Sequence, residues 1–98
     1  MIMEVIDFED RAWFLLKDDD NYFLDVNCSN SAFGFSLLIC LEGEELNYFQ
    51  KYGHDYIEKL AKEIAYHSNS KYSNRDMSQD YKTIVSEVIK SWKLKNSI

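Results

Sequence analysis

The sequence contains no proline and only three glycines among its 98 residues. That scarcity excludes proline-rich linkers, collagen-like repeats and low-complexity tracts, and leaves few points where the backbone can turn abruptly. Most residues therefore belong in regular elements joined by short polar turns. Glycines at 34, 43 and 53 are too few and too scattered to cradle a phosphate. Long apolar runs are also missing. The longest, residues 12–16 and 37–41, are five residues each, far short of the ~20 needed to cross a bilayer. The opening Met1-Ile2-Met3-Glu4 has neither the basic region nor the apolar stretch of a secretory signal, so no membrane and a cytoplasmic location are expected. Two cysteines twelve residues apart make neither a disulfide framework nor a zinc spacing. Cys28 and Cys40 are expected as reduced thiols, with no metal and no cofactor.

Basic residues are scarce in the first half. Residues 1–50 hold 11 Asp/Glu against 2 Lys/Arg, while residues 51–98 hold 6 against 9, within a chain of net charge −6. An isoelectric point near 4.8 argues against nucleic acid as a partner, because phosphate binding rests on clustered Lys and Arg. With 46% apolar and 29% charged residues, the chain reads as one globular domain over residues 1–98.

What is present has two periods. Up to residue 41 apolar side chains alternate, as in Phe33, Phe35, Leu37, Ile39 and Leu41, or Tyr22, Leu24, Val26 and Cys28, which is the strand pattern. Polar turns at residues 9–11, 18–21 and 29–32 separate the strands and are too short for parallel crossovers. From Glu44 the period becomes helical. Leu46, Phe49, Gly53, Ile57, Leu60 and Ile64 form one stripe, with a helix at about 44–66. Tyr81, Ile84, Val85, Val88, Ile89 and Trp92 form a second, at about 77–94, with Asp76 or Ser78 as its N-cap. Gly53 lies inside the first stripe, where it serves either close approach of a bulky sheet residue or a kink dividing the helix. Residues 68–75 read as the one flexible connection. The expected fold is α+β: a three- or four-stranded antiparallel meander at about 2–41, then two amphipathic helices packed on one face (β-β-β-β-α-α), two layers in all.

The sheet bears more apolar surface than two helices need. If they pack on the face bearing Phe14, Leu16, Leu24, Val26, Phe35, Leu37 and Ile39, then Trp13, Leu15, Phe23 and Leu38 remain on the other. An apolar patch of that kind needs cover, from a chain end or from a second protein. Those four residues, with the acidic turn Asp18, Asp19 and Asp20, are the candidate partner-binding residues.

Catalytic readings are weaker. His54 and His67 are thirteen residues apart, about 20 Å along one helix, too far to share a metal ion. Asp18-Asp19-Asp20-Asn21 lacks the alternating ligands, glycine and terminal Glu of a calcium loop, and reads as a solvated hairpin turn. Cys28, beside a Ser-Asn-Ser turn, is the better of two weak nucleophile candidates, with buried packing as its ordinary role. The balance favours a non-enzymatic protein-binding domain, an inhibitor or immunity-type partner of a basic protein, with carboxylates standing in for phosphates and speeding association. A homodimeric accessory or scaffold domain joined through the sheet face is the alternative.

Overall fold

The computed structural model describes residues 3–28, 35–67 and 72–96. Four antiparallel strands lie side by side in chain order: β1 (Glu4–Glu9), β2 (Trp13–Lys17), β3 (Tyr22–Cys28) and β4 (Phe35–Cys40). Helices α1 (Gly43–Tyr52), α2 (His54–Tyr66) and α3 (Ser78–Asn96) follow, with a 3₁₀ turn at Ser73–Arg75 before α3. The α+β class and the order of strands before helices agree with the two periods in the sequence. The turn expected at residues 29–32 lies outside the described residues.

The layering differs from expectation, and strand register is the reason. Trp13 sits opposite Val26 and Leu15 opposite Leu24, while Leu24 faces Ile39 and Val26 faces Leu37. Residues directly opposite in an antiparallel pair share a face. Trp13 and Leu15 therefore join Leu24, Val26, Leu37 and Ile39, and this face is covered by α2 through Ile57, Leu60, Ala61 and Ile64. On the other face Leu16, Phe23 and Leu38 pack with Met3 and with Val85 of α3. The helices thus sandwich the sheet in three layers rather than lying together on one side.

Trp13, Leu15, Phe23 and Leu38 are at most 2% exposed. The open apolar patch expected from them does not exist, and a homodimer through that patch loses its surface. Each such burial contributes about 1.5–3 kcal/mol, which is why α3 crosses to the second face instead of stacking on α2.

β1 carries a bulge between Val5 and Asp7. The extra residue, Ile6, is 41% exposed. By absorbing one position the bulge directs Val5 and Phe8 towards α3 and Asp7 towards α2. Phe8 and Phe14 then meet Trp92 at ring-centroid distances of 4.6 and 5.5 Å.

Gly53 divides the first helical stripe into α1 and α2. Its backbone, at φ 62° and ψ −136°, lies in a region that only glycine occupies without strain. A Cβ built there meets nothing within 4 Å, so close packing is not its role. The break, of the two readings, is the one adopted.

The connection to α3 is anchored where it is described. Tyr72 is 3% exposed within the α2-side core. Asp76 bridges to Ile39 on the free edge of β4, and its Oδ1 accepts the Leu38 N–H at 2.9 Å and the Ser78 N–H at 3.0 Å. Met77 N–H donates to the Leu38 carbonyl at 2.8 Å. With both Leu38 backbone groups bonded, another chain cannot pair at that position of the edge. The expected flexibility across residues 68–75 does not extend to Tyr72–Arg75; residues 68–71 lie outside the described part.

Candidate partner-binding surface

The β2–β3 turn is built by its own side chains. Asp18 Oδ1 accepts the Asn21 N–H at 3.0 Å, and the Asp18 N–H reaches the Asn21 carbonyl at 3.1 Å. This draws Asp18 inward to 6% exposure, while Asp19 and Asp20 stay exposed. Of the three expected acids, two face solvent and one holds the turn.

Tyr22 follows this turn directly and links it to α1. Its ring meets Phe49 at 5.2 Å, and its carbonyl accepts the Leu41 N–H at 2.9 Å, drawing the start of α1 beside the turn. The N-terminus of α1 carries Glu42, Glu44 and Glu45, where carboxylates complement the helix dipole. A capping box joins Glu42 and Glu45, the Glu42 N–H donating to Glu45 Oε1 at 2.9 Å.

Along α1 and into α2 runs a tyrosine ladder. Tyr48 lies 6.3 Å from Tyr52 and 5.5 Å from Tyr56, ring to ring. Tyr48 and Tyr52 are 48% and 55% exposed. Tyr56 is partly buried and its phenol is pushed up to about 12, first by burial and then by Glu45 and neighbouring phenols. Tyr48 follows the exposed Glu44 by one helical turn, so a half-exposed ring stands beside a carboxylate on α1.

Arg75 holds this end together. Its guanidinium grips Glu45 through Nη1 at 3.0 Å and Nη2 at 2.7 Å, and Nη2 also donates to the Cys40 carbonyl at 2.9 Å. Burial pushes the Glu45 carboxyl upward, but the hydrogen bonds from Arg75 and the Glu42 N–H outweigh it and hold it below the usual range. A bidentate, half-buried pair of this kind fixes α1 against β4. Glu45 is therefore committed internally, leaving Glu42 and Glu44 exposed.

The cysteines and histidines take structural places. Cys28 is fully buried in the α2-side core, so the weak nucleophile candidate is a packing residue. Cys40 lies on the α3 side, and burial followed by the Asp18 and Glu42 carboxylates pushes its thiol up. Neither cysteine is in a disulfide among the described residues. His54 bonds Asp7 Oδ2 at 2.8 Å through Nδ1 and lies 3.6 Å from Glu9 through Nε2, tying the start of α2 to β1. No group of three or more His, Cys, Asp or Glu among the described residues could hold a metal ion. Nor is any helix among them long and apolar enough to cross a membrane.

Sequence reasoning missed the Glu45–Arg75 and Asp7–His54 pairs, thirty and forty-seven residues apart. It also missed that Tyr22, beside the acidic turn, packs on Phe49 of α1.

The fold is an α+β domain, four antiparallel strands followed by three helices. The chain belongs to the RPN1 N-terminal domain family, whose model matches residues 23–97. That membership points to a protein-interaction or scaffold domain. The matched span takes in β3, β4 and all three helices, and so includes the tyrosine ladder but not the acidic turn. Comparisons with curated proteins and with solved structures each return no match.

Proposed function

We propose that this chain is a small protein-interaction domain that holds a basic protein on the face formed by α1 and the β2–β3 turn. The observation that carries the reading is the exposed, stacked Tyr48–Tyr52 pair on a helix whose start bears the exposed Glu42 and Glu44. Tyrosine supplies contact area at low entropic cost, and carboxylates steer a cationic partner and fix its register. Family membership supports the interaction role. The narrower form, an inhibitor or immunity-type partner in the cytoplasm, rests on the acidic surface alone.

The test is capture of a partner from the native host at low salt, followed by titration of the purified pair. Affinity is expected to fall steeply with added salt. Tyr52→Ala should weaken binding by about thirtyfold, the ~2 kcal/mol of an interface anchor, while leaving the unfolding midpoint unchanged. Charge reversal at Asp19 and Glu44 should slow association. A complex indifferent to salt and to all three substitutions would place the interface elsewhere and end this reading.

A further inference from the structure

The second half of the molecule carries a feature that the interaction surface does not use. Between α3 and strands β3 and β4 lies a groove of about 750 Å³, within the size range of small-ligand pockets. Its apolar part comes from Leu38, Val85, Ile89 and Leu94. Ser78, Lys82, Ser86 and Lys90 recur every four residues along α3 and form one polar ridge beside it. Lys93 joins them, its ammonium 5.5 Å from the Phe14 ring centroid. In a chain of net charge −6, this groove is lined among the described residues by three lysines and one acid.

The acid is Asp25. It occupies a position between Phe14 and Leu38 on the α3-facing side of the sheet, where neighbouring positions hold Leu16 and Phe23. No described side chain hydrogen-bonds its carboxyl. Packing alone would favour an apolar residue there, because an unpaired carboxylate under a helix opposes folding. Burial, then the carboxylate of Asp76, pushes Asp25 up to about 6, with Lys93 pulling the other way. Near neutral pH the carboxyl can therefore take up a proton and become a hydrogen-bond donor inside the groove.

The geometry points to a binding site in this groove for a small amphipathic anion, an alkyl chain ending in a carboxylate, sulfonate or phosphate. The chain lies on Leu38, Val85, Ile89 and Leu94, and the head pairs with Lys82, Lys90 and Lys93. A cationic ligand would meet three like charges, and an uncharged one would leave the lysine ridge unused. Binding draws a proton onto Asp25, because an anion nearby disfavours the second negative charge.

Calorimetric titration with octanesulfonate, which stays ionised throughout, tests this on the full chain. One saturable site is expected, at least about threefold tighter at pH 5.5 than at pH 7.5 through linkage to the Asp25 proton. The groups facing Asp25 that could contribute are Asp76, Lys82, Lys90 and Lys93. Asp25→Asn should remove the pH dependence and retain binding. Lys82→Glu with Lys90→Glu should weaken binding at least about tenfold, each reversal costing on the order of 1 kcal/mol near the head group, and Lys62→Glu on α2 should not. Circular dichroism of each variant confirms that it is folded. Absence of a saturable site, equal affinity in the double variant, or a pH dependence that survives Asp25→Asn overturns the assignment. So does sedimentation with phosphatidylglycerol vesicles when free octanesulfonate fails to bind.

Discussion

Replacing Asp76 by alanine removes three hydrogen bonds that no other described side chain supplies. Its Oδ1 accepts from the Leu38 and Ser78 N–H groups, and its Oδ2 accepts from the Ser78 hydroxyl at 2.8 Å. The Ser78 bonds organise the first turn of α3, and losing such a cap costs about 1 kcal/mol. The Leu38 N–H belongs to a residue 1% exposed, and a buried donor left unpaired costs about 1–3 kcal/mol more. Asp76→Ala should therefore destabilise by about 3 kcal/mol in all, a large share of the 5–15 kcal/mol that holds a typical domain. In urea, with a slope near 1.5 kcal/mol/M, the midpoint should fall by about 2 M. Asp76→Asn keeps an acceptor oxygen and should cost about 1 kcal/mol, the charge-assisted part of the bonds. Amide exchange at Leu38 should accelerate in the alanine variant and much less in the asparagine one. A midpoint shift in Asp76→Ala equivalent to less than about 0.5 kcal/mol, or equal shifts in the two variants, would show that water replaces the carboxylate and refute the argument.

Three further outcomes follow from the same geometry. Asp25 has its folded-state carboxyl raised to about 6, so its penalty is absent below about pH 4 and complete above about pH 6; Asp25→Asn should stabilise by about 2 kcal/mol at pH 7.5 and hardly at all at pH 4, read as paired urea midpoints. For His54, the Asp7 hydrogen bond outweighs partial desolvation and raises the imidazole above its ordinary value. Its stabilisation is complete below about pH 6.5 and fades as pH climbs through the raised value, so His54→Gln should cost more at pH 5.5 than at pH 8.5, and added salt should shrink the difference. Gly53→Ala forces a side chain into a glycine-only conformation and should cost more than about 1 kcal/mol despite the open space; a midpoint unchanged in thermal unfolding would mean that α1 and α2 can merge.

The elements were largely legible because each rests on local information. Alternation in β3 and β4 and the stripe of α3 need only the chain's own period, and Gly53 signalled a break without saying of what kind. The candidate site was legible in part. Asp19 and Asp20 are exposed in their turn as their composition suggests, whereas the burial of Asp18 depends on its bond to Asn21. Trp13, Leu15, Phe23 and Leu38 were misplaced because a face cannot be assigned across strands without their register. Shifting one strand by one residue exchanges its two sets of side chains.

By itself, then, the sequence determined an antiparallel meander followed by amphipathic helices and a surplus of acid in the strand half. Those properties follow from period, composition and turn chemistry, all of which act over a few residues. Only the tertiary structure decided that α3 crosses to the far face, that Arg75 is consumed by Glu45, that Tyr22 beside the acidic turn packs on Phe49 of α1, and that Asp25 lies under a row of lysines. Each joins residues between 27 and 68 positions apart in sequence or, for α3, depends on which face of the sheet was still uncovered. Contacts of that kind are set by competition among packing arrangements of the whole chain, and no local pattern encodes the winner.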